Sequence, residues 1–118
     1  MIRRALSALL VLAAAVAVAA TAQAKSAGLV GEVGPGFKIE VEKNGTDLKT
    51  IKAGTYRIKI EDKSSFHNFH LIGPGLNKKT SISFKGQTTW SIKLKRGKYT
   101  YQCDPHIAAG MKGSFRVR

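Results

Sequence analysis

The sequence predicts an all-β domain of seven or so short strands, a sandwich or a barrel. Apolar residues recur with a period of two over most of the chain, turn-forming pairs separate those runs, and no segment beyond residue 24 carries a 3.6-residue stripe. Period two is the mark of strands with one face to a core and the other to water, and regularly spaced short strands close into a sandwich or barrel.

The first 24 residues stand apart. Met1-Ile2-Arg3-Arg4 is a short basic start, Ala5 to Ala20 is apolar and uncharged, and Ala22-Gln23-Ala24 has the small-x-small form of a cleavage site. This is the pattern of a secretory signal peptide over 1–24. A retained membrane anchor is the alternative, since the run approaches the length of a span. The alanine-rich character and the Ala-Gln-Ala end favour cleavage, and no cysteine follows the site to take a lipid. Cleavage after Ala24 leaves 94 of the 118 residues, enough for one domain with one modest core. The expected location is therefore outside the cytoplasm, periplasmic or extracellular.

Residues 25–36 are small and glycine-rich, with a short strand expected near Leu29 to Val33. The body of the domain follows over 37–118. Phe37, Ile39 and Val41 alternate with Lys38, Glu40 and Glu42, which predicts a strand with those three apolar side chains inward. Asn44-Gly45 is a strong hairpin signal. Tyr56, Ile58 and Ile60 mark the next strand, after a break at Ala53-Gly54. Further breaks fall at Gly73-Pro74-Gly75, Lys85-Gly86 and Arg96-Gly97. Between and after them, Trp90, Ile92 and Leu94 share one face, Tyr99, Tyr101 and Cys103 another, and Phe115 and Val117 end the chain. Trp90, Tyr99 and Tyr101 are read as core.

Charge narrows the partners. Without Arg3 and Arg4, 18 Lys and Arg face 7 Asp and Glu, a formal +11. Such a field steers anionic partners. No nucleic-acid-binding motif accompanies the lysines, which are spread along alternating strand positions, and export removes the chain from the genome. The expected partners are redox proteins, acidic ones among them, or an anionic envelope surface; a monomer is expected.

The one cysteine carries the most chemistry. An exported chain with a single cysteine forms no internal disulfide, so the thiol is reactive, paired between molecules, metal-bound or simply buried. Here Cys103-Asp104-Pro105-His106 is followed by Met111, and Phe66-His67-Asn68-Phe69-His70 lies upstream. A thiolate, two imidazoles and a thioether are the donor set of a blue-copper site, with His₂Cys in a plane and a weak axial Met. Zinc also takes Cys and His, but a thioether suits it poorly. Strand alternation places His67 with Phe69 and Leu71 on the core side and turns His70 outward with Asn68. His67 is accordingly favoured as the upstream donor, with His70 a rim residue.

With these motifs in view, the chain resembles the cupredoxins, most closely the plastocyanin, amicyanin and pseudoazurin group. The Cys-x-Pro-His core and Ala-Gly-Met end are similar to plastocyanin's ligand loop, and His-Asn-x-His to amicyanin's segment. The resemblance implies a Greek-key β-sandwich with one copper ion near one end, held by His67, Cys103, His106 and Met111. It also implies that Asn68 ties the histidine segment to the cysteine loop and that His106 couples the metal to partners through an apolar patch. Pro105 stiffens the loop, Asp104 puts a carboxylate beside the thiolate, and Gly73-Pro74-Gly75 is expected near the same end. The function implied is one-electron transfer by Cu(I)/Cu(II) cycling rather than enzymatic catalysis. A copper-binding module for storage, delivery or resistance is the alternative. A multicopper oxidase or reductase needs histidine clusters that three histidines cannot supply.

Overall fold

A computed structural model describes residues 14–15 and 28–118, so the expected leader over 1–24 lies, but for two alanines, outside the described residues. No helix among the described residues is long and apolar enough to cross a membrane. Among the described residues, ten strands form two five-stranded sheets. They are β1 (Leu29–Val33), β2 (Ile39–Lys43), β3 (Thr46–Asp47), β4 (Thr50–Ile51), β5 (Gly54–Asp62), β6 (His70–Gly73), β7 (Leu76–Lys79), β8 (Gly86–Leu94), β9 (Gly97–Gln102) and β10 (Lys112–Val117). The first sheet runs β3-β2-β1-β5-β8 and the second β4-β10-β9-β6-β7. Strands β1 and β5 are parallel, as are β4 and β10; the other pairings are antiparallel. The all-β sandwich is thus as the period-two pattern requires, with the strand at Leu29–Val33 lying between β2 and β5.

Alternation does the sorting. Ile58 and Ile60 on β5 and Ile92 and Leu94 on β8 are buried, while Arg57, Lys59, Ser91 and Lys93 between them are exposed or nearly so. From the second sheet Leu71, Tyr99, Tyr101, Phe115 and Val117 meet them, joined by Phe69 just before β6. Trp90, Tyr99 and Tyr101 are core residues, as read from the sequence. The Asn44-Gly45 turn has φ of 52° and 74°. Two consecutive positive values are what a two-residue type I′ hairpin needs.

Tyr99 fastens the end of the sandwich away from Cys103. Its hydroxyl donates to the Pro74 carbonyl at 2.7 Å and accepts the Lys95 amide at 2.9 Å. This corrects one expectation. Gly73-Pro74-Gly75 lies beside the β8–β9 turn, where Pro74 touches Gly97, at the opposite end of β9 from Cys103.

Phe37 is a second correction. It is 63 % exposed rather than inward, because β2 begins only at Ile39 and the strand period does not govern the loop before it.

Candidate metal centre

Three loops meet at one end of the sandwich. The register pairs His70 of β6 and Lys112 of β10 with Gln102 of β9, so the segment before His70 and the loop from Cys103 to Met111 start side by side. The β1–β2 loop closes over them; a Cβ on Gly34 would lie 3.1 Å from the His67 ring.

The cysteine loop is a short 3-10 helix over Asp104–Ala109, with Pro105 in its first turn and Gly110, at φ 87°, as its left-handed stop. The Cys103 amide donates to the Met111 carbonyl at 3.0 Å, and the Met111 amide to the His106 carbonyl at 3.2 Å. The turn therefore folds Cys103, His106 and Met111 back upon one another. Cys103 and Met111 are buried, and His106 is half-buried.

Asn68 joins this loop to the histidine segment. Its side-chain oxygen accepts the Asp104 amide at 2.8 Å, and its amide group donates to Asp104 Oδ2 at 2.8 Å and to the Thr80 carbonyl at 3.4 Å. Asn68 is only 2 % exposed, so the outward position read from strand alternation is wrong. Residues 67–69 precede β6, and His67, Asn68 and Phe69 are all buried in succession. His70 is likewise no free rim residue: Nδ1 lies 2.7 Å from Asp104 Oδ1 and Nε2 2.6 Å from Asn77 Oδ1. Replacing Asn68 with alanine strands the Asp104 amide. It should lower the stability of the metal-free domain by about 1–3 kcal/mol in a denaturant titration.

Three donor atoms converge. Cys103 Sγ lies 3.6 Å from His67 Nδ1 and 3.4 Å from His106 Nδ1, and the two nitrogens are 3.0 Å apart. These three residues form the one potential metal-binding group of at least three His, Cys, Asp or Glu among the described residues. A triangle of this size has a point about 2 Å from each corner, the length of a metal–imidazole bond, so the donors fit one small ion. His70 stands outside this group, and His67 is the upstream imidazole within it.

The electrostatics suit a guarded thiolate. Burial pushes the Cys103 thiol above its ordinary pKa; hydrogen bonds from the Asn68 and His106 amides pull down, and the carboxylates of Asp104 and Asp62 add to the rise. A bound cation would reverse that balance and hold the sulfur deprotonated. Burial also acts to raise Asp104, but hydrogen bonds from Gln102, His70 and Asn68 outweigh it and bring the carboxyl to about 2. Its charge thus faces those partners as well as the sulfur.

Two features had no clear signal in the sequence. The exposed Phe37 ring packs edge-on against both imidazoles, with centroids 5.7 Å from His67 and 5.0 Å from His106. Thr80 holds the ligand segment from the other side, its hydroxyl accepting the Phe69 amide at 2.9 Å.

Residues 35–118 match the family model of copper-binding proteins of the plastocyanin/azurin family. Among solved structures, the chain is similar to reduced rusticyanin, with 26% identity, coverage of 77% of this chain and 78% of that one, and a TM-score of 0.59. It is also similar to a methionine-to-glutamine mutant of rusticyanin, with 24% identity, coverage of 77% and 76%, and a TM-score of 0.60. For rusticyanin from Thiobacillus ferrooxidans the values are 23%, 77% and 76%, and 0.55. The last two matches speak to the fold, which is that of the sandwich described above. With the family model spanning the body of the domain and a His67–Cys103–His106 group sized for one ion, the chain belongs to the plastocyanin/azurin family of copper-binding proteins, the cupredoxins, and copper is its cofactor.

Proposed function

We propose that this is an exported type 1 copper protein that carries single electrons between redox proteins, with His67, Cys103, His106 and Met111 as the ligands. The observation that carries the reading is the largely buried triangle of one sulfur and two imidazole nitrogens. Copper held there would supply a reversible one-electron couple. The chain's part is to keep the ligand positions the same in both oxidation states. Asn68 pins the start of the Cys103 loop, Pro105 and the 3-10 turn shape it, and the buried Met111 lies at its base. Hydrogen-bonded partners of this kind typically change metal affinity 10–100-fold when removed.

The surface supports a carrier rather than a catalyst. His106 is the more exposed of the two imidazoles in the triangle, and Phe37, Pro105, Ile107, Ala108 and Ala109 around it are exposed and uncharged. Such a rim allows close approach of a partner without trapping charge. One small domain with three histidines offers no second copper centre for substrate chemistry. Rusticyanin, which the chain resembles, is described as a copper protein and has a reduced form. The partners are proposed to be redox proteins, acidic ones among them, met outside the cytoplasm by a monomer.

Voltammetry of the copper-loaded protein, run beside a challenge with a mild copper chelator, tests this. The expected result is a reversible one-electron wave and slow loss of copper. Rapid loss to the chelator with no reversible wave would instead assign the protein to copper storage or delivery.

A further inference from the structure

The chain's charges are sorted between its two faces. Of its seven Asp and Glu, five lie on the outer side of the first sheet: Glu32, Glu40, Glu42, Asp47 and Glu61. Of the others, Asp62 is buried and Asp104 is tied to Asn68, His70 and Gln102. The outer side of the second sheet carries no carboxylate on any of its five strands, but it presents Lys79, Lys98, Lys112 and Arg116, all exposed.

Both faces hold like-charge neighbours; on the first sheet most of them are paired within the chain, although Glu42, opposite Asp47, takes part in no ion pair among the described residues. On the first sheet Glu32 stands directly opposite both Glu40 and Glu61. Lysines of the same chain relieve this crowding, with Lys63 on Glu32, Lys38 on Glu40 at 3.6 Å and Lys59 on Glu61 at 2.9 Å. On the second sheet Lys98 stands directly opposite Arg116, a pairing that destabilises a sheet. Among the described residues, neither takes part in an ion pair. Both cations are exposed and open to an external anion.

We propose that the outer face of the second sheet is an attachment surface for an anionic lipid bilayer. Lys98, Thr100, Lys112, Gly113 and Ser114 line a shallow depression on this face, with Thr100 and Ser114 directly opposite each other. Ammonium and hydroxyl donors around a shallow hollow suit phosphate head groups. The face is a broad sheet surface, which matches a bilayer in form as well as in charge. Orientation separates a bilayer from a redox partner. The metal-binding triangle lies beyond the end of β9, where Phe37, Phe66 and Ile107 are exposed, whereas this face runs along the strands. A molecule lying side-on against a bilayer keeps its metal end open to a redox partner.

Vesicle flotation of the copper-loaded protein, carrying the N-terminus its cells leave on it, tests the proposal. Vesicles of phosphatidylglycerol and phosphatidylcholine are compared with phosphatidylcholine alone, at low salt and at high salt. The unaltered protein should float with the anionic vesicles only, and release as salt screens the charges. At about 1 kcal/mol for each cation near the surface, Lys98→Gln with Arg116→Gln should weaken binding about thirtyfold. The control, Arg57→Gln with Lys93→Gln, removes the same charge from the first sheet and should change binding only a few-fold. Lys112→Gln alone, expected to weaken binding about fivefold, is a second probe should the double variant lose its visible copper band. Equal losses from both faces would overturn the proposal, as would no preference for anionic vesicles or binding that survives high salt. Loss of binding to an acidic redox protein, with vesicles never bound, would assign the face to a protein partner instead.

Discussion

Cys103→Ser is expected to abolish the intense visible band of the copper-loaded protein and to leave Cu(II) with an ordinary, wide hyperfine splitting. The band requires charge transfer from a thiolate, and Cys103 is the only cysteine in the chain. No other sulfur can take its place, because Met111 offers a neutral thioether, a weak donor in such sites. A serine hydroxyl is far harder to deprotonate than a thiol and would sit in a buried pocket that disfavours its anion. The fold should survive, because the loop is held by the Asp104 amide on Asn68 and by the Cys103 backbone on Met111. Visible absorption and electron paramagnetic resonance, with one equivalent of Cu(II) on parent and variant, are the measurements. A colourless parent, or a variant that keeps the band, would refute the thiolate assignment.

Cys103 and His106 are legible as donors because their chemistry and order are local. Cys103, His106 and Met111 sit within nine residues, and a turn with Pro105 and Gly110 folds such a spacing back on itself. The convergence of Cys103 and His106 with His67 depends on β6 pairing with β9, which no local pattern encodes; the resemblance to a family supplies that link. Periodicity failed where strands stop. Counting back from Ile39 puts Phe37 inward, yet it lies before the strand and packs on the two imidazoles. Counting from His70 puts Asn68 outward, yet β6 begins at His70 and the preceding segment buries three side chains running. Both misreadings fall in the loops that build the site, where hydrogen bonds and ring contacts override the two-residue period. The association of His70 with Asp104 and Asn77 is similarly invisible, being set by the register of three strands. Charge sorting was hidden for a related reason. Lysines appeared evenly spread along the chain, and only the strand order shows which of them share a face with glutamates.

Gly73→Ala should be among the most destabilising single-methyl additions in the domain, although it lies far from the copper site. Gly73 ends β6, and the Tyr99 ring lies across it. A Cβ there would stand 2.2, 2.5 and 2.6 Å from three carbons of that ring. Separations so short require movement, and the ring has nowhere easy to go. Its hydroxyl is held by Lys95 and Pro74, it stacks on Phe115 with centroids 5.5 Å apart, and it is fully buried. Overpacking typically costs about 1–3 kcal/mol, and a ring this firmly held places the change at the upper end, about 3 kcal/mol, which for a domain of this size lowers the melting temperature by roughly 12–24 °C. Gly36→Ala is the matched control. Nothing lies within 4 Å of its added Cβ, so its melting temperature should stay close to the parent's. Removing the obstacle should reveal the cause: in Gly73→Ala with Tyr99→Ala, the combined loss should fall well short of the sum of the single losses. Thermal melts of the five metal-free proteins (parent, Gly73→Ala, Tyr99→Ala, the double variant and Gly36→Ala) give the comparison. Additive losses, or a Gly73→Ala protein that melts with the parent, would show that the ring is free to move and that the contact with Gly73 does not hold this end of the sandwich together.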